Sequence, residues 1–311
     1  MIDFFIQKFN VYDFPDSNRK KHQTKVSVFG GGLILINLII LFLFVNFLNY
    51  EFSDFIGNNR NLFTIFFSPI LIFFVGLFDD KLLIKNKIKF ISLIILILSF
   101  LLIDESIIIV KLTFSWSQRE IFLLNFSLFF SALCILAFMN SYNFLDGIDL
   151  LCGIYALIIF LIFFYLTKSM LFFPFIVSLI IFCFLNYKKK LFLGDSGALL
   201  ISFLISLFMI KIYKLGLIKT EQIFIILFIP ILDNLRVFFV RFINKQNILT
   251  PDNNHLHHLL VKKLNNINTV ILVMSIIFIP YIISNIFSEL YIIIIFQIII
   301  YFFLISKFKN L

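Results

Sequence analysis

Four short stretches of an otherwise apolar chain carry the side chains that chemistry needs. Asp79 and Asp80 stand side by side, ahead of Lys81 and Lys85. Two adjacent carboxylates ionise together cheaply only when a cation lies between or beside them. A divalent metal ion or a phosphate–metal complex would hold them, and a solvated helix end neutralised by the lysines is the plainer reading. Asn140, Asn143 and Asp146 recur at every third position, followed by Gly147 and Asp149. On a helical turn the first three share one face. Amides beside a carboxylate suit a nucleoside base or sugar hydroxyls, with a polar turn between apolar runs as the alternative. Gly194, Asp195, Ser196 and Gly197 open a further apolar run. The glycines let backbone N–H groups face a ligand, and a helix N-terminus favours phosphate. Asp195 is placed to ligate a hard cation, since Mg²⁺ commonly takes one or two carboxylates plus substrate phosphate oxygens. Taken alone, the same residues read as an N-cap. His255, His257 and His258 follow Pro251 and Asp252 and make up three of the 4 histidines. Zinc would want a fourth ligand nearby, so phosphate binding by imidazole and helix-end N–H groups competes with it.

Two further sets are weaker. Asp233 and Arg236 are spaced i, i+3, which suits an internal ion pair that lets both enter a helix bundle. Asn18, Arg19, Lys20, Lys21 and His22 precede the run Gly30 to Gly32. Such a basic stretch meets lipid headgroups or a phosphate, or simply sets topology. Cys134, Cys152 and Cys183 all lie inside apolar runs, without metal or disulfide spacing, and read as packing residues.

The elements that position these residues follow from composition. Of 311 residues, 61 % are hydrophobic and 14 % charged, against about 45–50 % and 25 % in a soluble domain. That excludes a soluble enzyme, a disordered chain and a fibrous one. Transmembrane barrels alternate apolar and polar residues, whereas the apolar runs here are unbroken. The reading is an all-α polytopic membrane helix bundle of about 10 transmembrane helices. The spans are expected at 27–48, 61–78, 88–103, 121–139, 150–166, 170–187, 197–213, 222–240, 269–287 and 290–306. No stretch has the pattern of a cleavable signal. The longest polar gap is 241–268, so residues 1–311 are expected to form a single integral membrane domain.

Loop charge orients the bundle. With residues 1–26 and the C-terminus in the cytoplasm, most of the 26 Lys and Arg residues fall on the cytoplasmic side, as positive loops do. The net charge of +9 is then explained by loops and anionic headgroups, without nucleic acid. On this map every acid cluster above, and the histidines, lie at the cytoplasmic membrane surface. Acids such as Asp104, Glu120, Glu221 and Glu289 scatter on the other side. Ten spans would also suit a secondary transporter, but transporters gather ionisable groups near the bilayer midplane rather than at one set of helix ends.

The order of the motifs is more telling than any one of them. It runs from Asp16 to His22 with the glycine run, through Asp79-Asp80, to Asn140, Asn143, Asp146, Gly147 and Asp149. Then come Asn186 with Gly194 to Gly197, Pro230 with Asp233 and Arg236, and Pro251-Asp252 with His255, His257 and His258. In this the chain resembles the polyprenyl-phosphate N-acetylhexosamine-1-phosphate transferases, glycosyltransferase family 4, over nearly its whole length. The resemblance implies transfer of a sugar-1-phosphate from a UDP-sugar to undecaprenyl phosphate, with release of UMP, dependent on Mg²⁺ or Mn²⁺. It implies a multi-pass protein of the bacterial inner membrane with a cytoplasmic active site, UDP-sugar and polyprenyl-phosphate substrates, and contact with membrane lipids. A homodimer stays open. By position, Asp79 and Asp80 are implied as catalytic carboxylates, and Asp195 with Asp80 as metal ligands. Asn140, Asn143, Asp146, Asp149 and Asn186 would line the nucleotide sugar. Lys89, His255, His257 and His258 would meet phosphates, and Lys20, Lys21, Asp233 and Arg236 complete the set. The histidine loop after Pro251-Asp252 is similar to the branch that uses UDP-N-acetylglucosamine for surface polysaccharide. The other branch transfers phospho-N-acetylmuramoyl-pentapeptide. Family members usually carry a further span before the basic motif. Here twelve residues precede Asp13, so either the true start lies further upstream or that helix is lacking.

Overall fold

The computed structural model describes residues 12–13, 26–47, 55–82, 84–117, 119–245 and 254–309. Lys20, Lys21, Pro251 and Asp252 lie outside the described residues. The helices are α1 (Gly30–Phe47), α2 (Asn59–Leu82), α3 (Asn86–Ile103), α4 (Ser127–Leu145), α5 (Leu151–Thr167) and α6 (Phe173–Tyr187). They continue with α7 (Gly194–Lys214), α8 (Thr220–Ile243), the short α9 (Leu256–Val261), α10 (Asn266–Ser284) and α11 (Leu290–Lys309). Nine apolar helices among the described residues reach the length that crosses a membrane, and α5, at 17 residues, is just shorter. The chain is thus a multi-pass membrane helix bundle, with each expected span matched by one helix. Several helices run past the expected ends: α2 continues through Asp80, and α4 through Asn143, so these polar residues ride on helices rather than loops. Among the described residues, strand is confined to two-residue pairs, including β1 (Tyr12–Asp13) with β2 (Val26–Ser27).

Helix α7 is the axis of the bundle. It is apolar on all sides, and 94 % of its span is buried, against 22 % for α3. A helix apolar all round belongs in the interior. Close approach to it requires small residues. A Cβ on Gly31 of α1 would fall 2.4 Å from Cα of Gly197, and one on Gly76 of α2 would fall 2.4 Å from Cα of Ser196. The segment leading into α7 is pinned by backbone hydrogen bonds. Phe192 N–H donates to Ser27 O at 2.8 Å, and Gly30 N–H donates to Phe192 O at 2.9 Å. Gly194 then turns into the helix at φ +74°, a left-handed conformation that glycine adopts without strain.

Pro230 and Pro280 interrupt spanning helices, and tertiary contacts repair both. Proline has no N–H for the carbonyl four residues back. Pro230 in α8 releases the carbonyl of Ile226, which accepts from Tyr155 Oη of α5 at 3.0 Å. Pro280 in α10 releases that of Ile276, which accepts from Gln297 Nε2 of α11 at 3.0 Å, and the same amide reaches Ile225 O at 3.1 Å. In an apolar surrounding, each such group must find a partner inside the protein. At the far end of the bundle, buried Asp104 accepts from Asn61 Nδ2 at 3.0 Å and from Ser106 N–H at 2.9 Å. Lys211 Nζ lies 3.9 Å from Asp104 and donates to Ser106 Oγ at 2.7 Å. Burial alone would raise the Asp104 pKa; hydrogen bonds from Ser106, the Lys211 charge and Asn61 outweigh it and hold the carboxyl below its ordinary value.

Candidate active site

Helix ends α2, α4, α6, α7 and α8 and the start of α3 meet at one end of the bundle, opposite the Asp104 and Lys211 group. Lys89, in the first turn of α3, lies at the centre. Its Nζ is 2.7 Å from Asp79 Oδ2 at the end of α2 and 2.8 Å from Asp195 Oδ2 at the start of α7. Two carboxylates thus converge on one cation, with Lys89 and Asp79 largely enclosed and Asp195 more open. The Asn143 side chain of α4 lies close to Asp195. Asn143 Oδ1 is buried and has no hydrogen-bond partner.

Asp80 points elsewhere. Its two oxygens accept from the backbone N–H groups of Asp195, at 2.9 Å, and Ser196, at 3.0 Å. It therefore caps α7 from a neighbouring helix, where a carboxylate also complements the helix dipole. The sequence expectation made Asp80 both catalytic and a metal ligand; in this arrangement both its oxygens are engaged in holding Asp195. Asn186 is occupied in the same manner. Its Oδ1 accepts from Leu150 N–H at 2.6 Å, and its Nδ2 donates to Leu191 O at 2.9 Å. It braces the turn at Leu150, which has φ +72°, and the approach to α7. Asn140 is exposed on α4, one turn before Asn143.

Asp146 ends α4. Its side chain reaches solvent, yet the surrounding protein and the nearby charges of Asp195, Asp80 and Asp149 raise its pKa above the ordinary carboxylate range. Gly147 follows and lies under the histidines: a Cβ there would be 2.4 Å from His257 Nε2 and 2.7 Å from His258. Only a residue without a side chain lets the histidine segment sit on this turn.

The histidines divide by environment. His255 is buried, its Nδ1 is 2.9 Å from Asp233 Oδ2, and its ring stacks on Phe144 at 5.5 Å. It supports the segment rather than facing outward, in contrast to the phosphate contact expected of it. His257 is buried and stacks on His255 at 5.7 Å. Burial, then the neighbouring His258 and His255, keeps its pKa well below the ordinary imidazole value, so the ring is neutral. Its Nε2 has no hydrogen-bond partner. His258 is partly exposed, with its ring 4.2 Å from that of His257. Asp233 and Arg236 form the expected i, i+3 pair at 2.9 Å. Asp233 also accepts from Leu256 N–H at 3.0 Å, so it fixes the start of α9.

Sequence reasoning passed over Tyr301. Its hydroxyl donates to Asp233 Oδ1 at 2.7 Å from α11. The available signal was Tyr301 and Gln297, polar groups in the middle of a run of Ile and Phe. Among the described residues no group of three His, Cys, Asp or Glu side chains is arranged to hold a metal by itself.

Residues 62–213 match the family described as glycosyl transferase family 4. That segment, just under half of the chain, is similar to the family. This match, with the similar proteins below, marks the protein as an enzyme, a sugar-phosphate transferase. The segment shared with the family carries Asp79, Asp80, Lys89, Asn143, Asp146, Asn186 and Asp195. The histidine segment and the Asp233–Arg236 pair lie beyond it. The chain is 27 % identical over 271 residues to a probable undecaprenyl-phosphate N-acetylglucosaminyl 1-phosphate transferase of Bacillus subtilis, covering 82 % of this chain and 70 % of that protein. It is 24 % identical over 269 residues to the undecaprenyl-phosphate alpha-N-acetylglucosaminyl 1-phosphate transferase of Salmonella typhi. It is 23 % identical over 274 residues to the corresponding Escherichia coli K12 protein, with the same shares of each chain covered.

Proposed function

We propose that the protein acts as a family 4 transferase and moves N-acetylglucosamine-1-phosphate from UDP-N-acetylglucosamine to undecaprenyl phosphate, releasing UMP, at the cytoplasmic face of a bacterial inner membrane. The observation that carries the reading is the convergence of Asp79 and Asp195 on one cationic point, the Lys89 ammonium, at one end of the bundle. The names of the similar proteins supply the sugar and the lipid. No feature of the site favours the muramoyl-pentapeptide branch over this one.

The donor set fits a divalent cation. Asp79 and Asp195 already focus two oxygens on the Lys89 ammonium, and Mg²⁺ or Mn²⁺ needs few carboxylates when substrate phosphates complete its shell. When bound, such an ion neutralises the diphosphate and stabilises the departing UMP. Asp195 and Asp79 are its ligands in this proposal; Asp80 acts on Asp195 through the helix end it caps. Phosphoryl transfer asks the protein mainly for positioning and charge neutralisation. Lys89, released from one carboxylate, would meet a phosphate oxygen of the nucleotide sugar. The unpartnered Asn143 Oδ1 accepts from a substrate hydroxyl or amide. Neutral His257, joined by His258, donates a ring N–H to phosphate next to the Asp146–Gly147 turn.

The test follows UMP and lipid-linked sugar together in membranes supplied with undecaprenyl phosphate, Mg²⁺ and a panel of UDP-sugars. Turnover with UDP-N-acetylglucosamine, abolished by EDTA, is expected. Turnover confined to another UDP-sugar would keep the chemistry and overturn the sugar; none with any sugar, from folded protein, would overturn the reaction.

A further inference from the structure

Helix α11 reaches the site through Tyr301, which no motif includes. Tyr301 is fully buried. Its hydroxyl donates to Asp233 Oδ1 at 2.7 Å and accepts from Arg236 Nε at 2.7 Å. Arg236 in turn binds Asp233 Oδ1 through Nη2 at 2.9 Å and donates to the Asn254 carbonyl. The other Asp233 oxygen takes His255 Nδ1, and the Leu256 N–H is shared between both. The hydroxyl of Tyr301 is thus the third corner of a triangle whose other corners, Asp233 and Arg236, grip residues 254–256. The ring is seated edge-on against Phe228 at 6.1 Å, which fixes where the hydroxyl can lie. A buried network of this kind depends on every member, because a partner removed leaves desolvated groups unpaired.

We propose that Tyr301 is a positioning residue: its hydroxyl locks Asp233 and Arg236, and through them holds the 254–258 histidine segment over the Asp146–Gly147 turn for transfer. The kinetic part of this rests on the function proposed above. Removing the hydroxyl frees Arg236 Nε and one side of Asp233, and the segment loses its fixed register while the ring still fills its place.

Tyr301→Phe in the full-length protein, in lipid nanodiscs, tests this with three readouts. Histidine acylation by diethyl pyrocarbonate, read peptide by peptide, reports whether buried His255 and His257 open. Turnover separates kcat from KM, and thermal unfolding reports overall stability. Expected are about tenfold faster labelling of His255 and His257 through local opening, kcat lowered about tenfold with KM little changed, and Tm within about 3 °C of wild type. Gln297→Leu, one turn away on the same helix, removes hydrogen bonds that do not reach Asp233. It should lower Tm yet leave both histidines protected. Protected histidines or an unchanged kcat in Tyr301→Phe, or equal opening in Gln297→Leu, would overturn the proposal. Labelling needs no turnover, so failure of the proposed reaction would show separately, as an inactive wild type whose histidines still open on Tyr301→Phe.

Discussion

Lys89 holds carboxylates from two helices on a single ammonium, 2.7 Å from Asp79 and 2.8 Å from Asp195. A site built this way loses its cation-binding character when either carboxylate is neutralised. Asp195→Asn should abolish Mg²⁺-dependent turnover while the protein still inserts and folds; near-normal activity would remove Asp195 from the metal site. Asp80 makes a different prediction, because its oxygens cap α7. Losing a cap costs about 1 kcal/mol. Asp80→Ala should therefore lower both Tm and activity, and Asp80→Asn, which retains one acceptor oxygen, should recover part of the Tm; equal Tm values for wild type and both variants would contradict the capping role. Asp146 carries a pH signature. Its folded pKa lies above the ordinary value of 3.8. The unfolded chain therefore releases this proton first, and stability falls as pH rises from about 4 towards 7. In EDTA the Tm should drop across that window, and Asp146→Asn should flatten the slope.

At the scale of elements, the spans were legible because long unbroken apolar runs leave little choice but a membrane helix. Chemistry-bearing residue types were also legible, since carboxylates, amides and histidines stand out in such a chain. Side-chain direction was not. Whether Asp80 faces a ligand or a helix end depends on α2 lying against α7 at Gly76, and whether Asn186 is free depends on the turn at Leu150 reaching it. Both are tertiary facts that residue spacing does not encode. Tyr301 and Gln297 were hidden for the same reason, although a polar residue deep in an apolar helix is a signal in itself. The repair of Pro230 gives an element-level test. Tyr155→Phe leaves the Ile226 carbonyl unpaired, at a cost of about 1–3 kcal/mol. Calorimetry should show a lowered Tm, and an unchanged Tm would mean that the carbonyl finds another donor. Gly147→Ala should displace His257 and His258 and reduce turnover with little loss of stability.

The molecule as a whole separates two polar ends. One holds the carboxylates and histidines; the other holds the Asp104, Asn61, Ser106 and Lys211 cluster, whose task is to close the bundle. Removing one partner of a buried ion pair costs about 3–5 kcal/mol. Lys211→Met should therefore destabilise the protein strongly while altering the kinetics of the surviving fraction little. The central claim is that phosphorus travels with the sugar, and UDP-N-acetylglucosamine labelled with ³²P in its β-phosphate tests it most directly. After incubation with undecaprenyl phosphate and Mg²⁺, label is expected in the lipid fraction and unlabelled UMP in the aqueous one. Label remaining in soluble UDP, with sugar alone on the lipid, would contradict it.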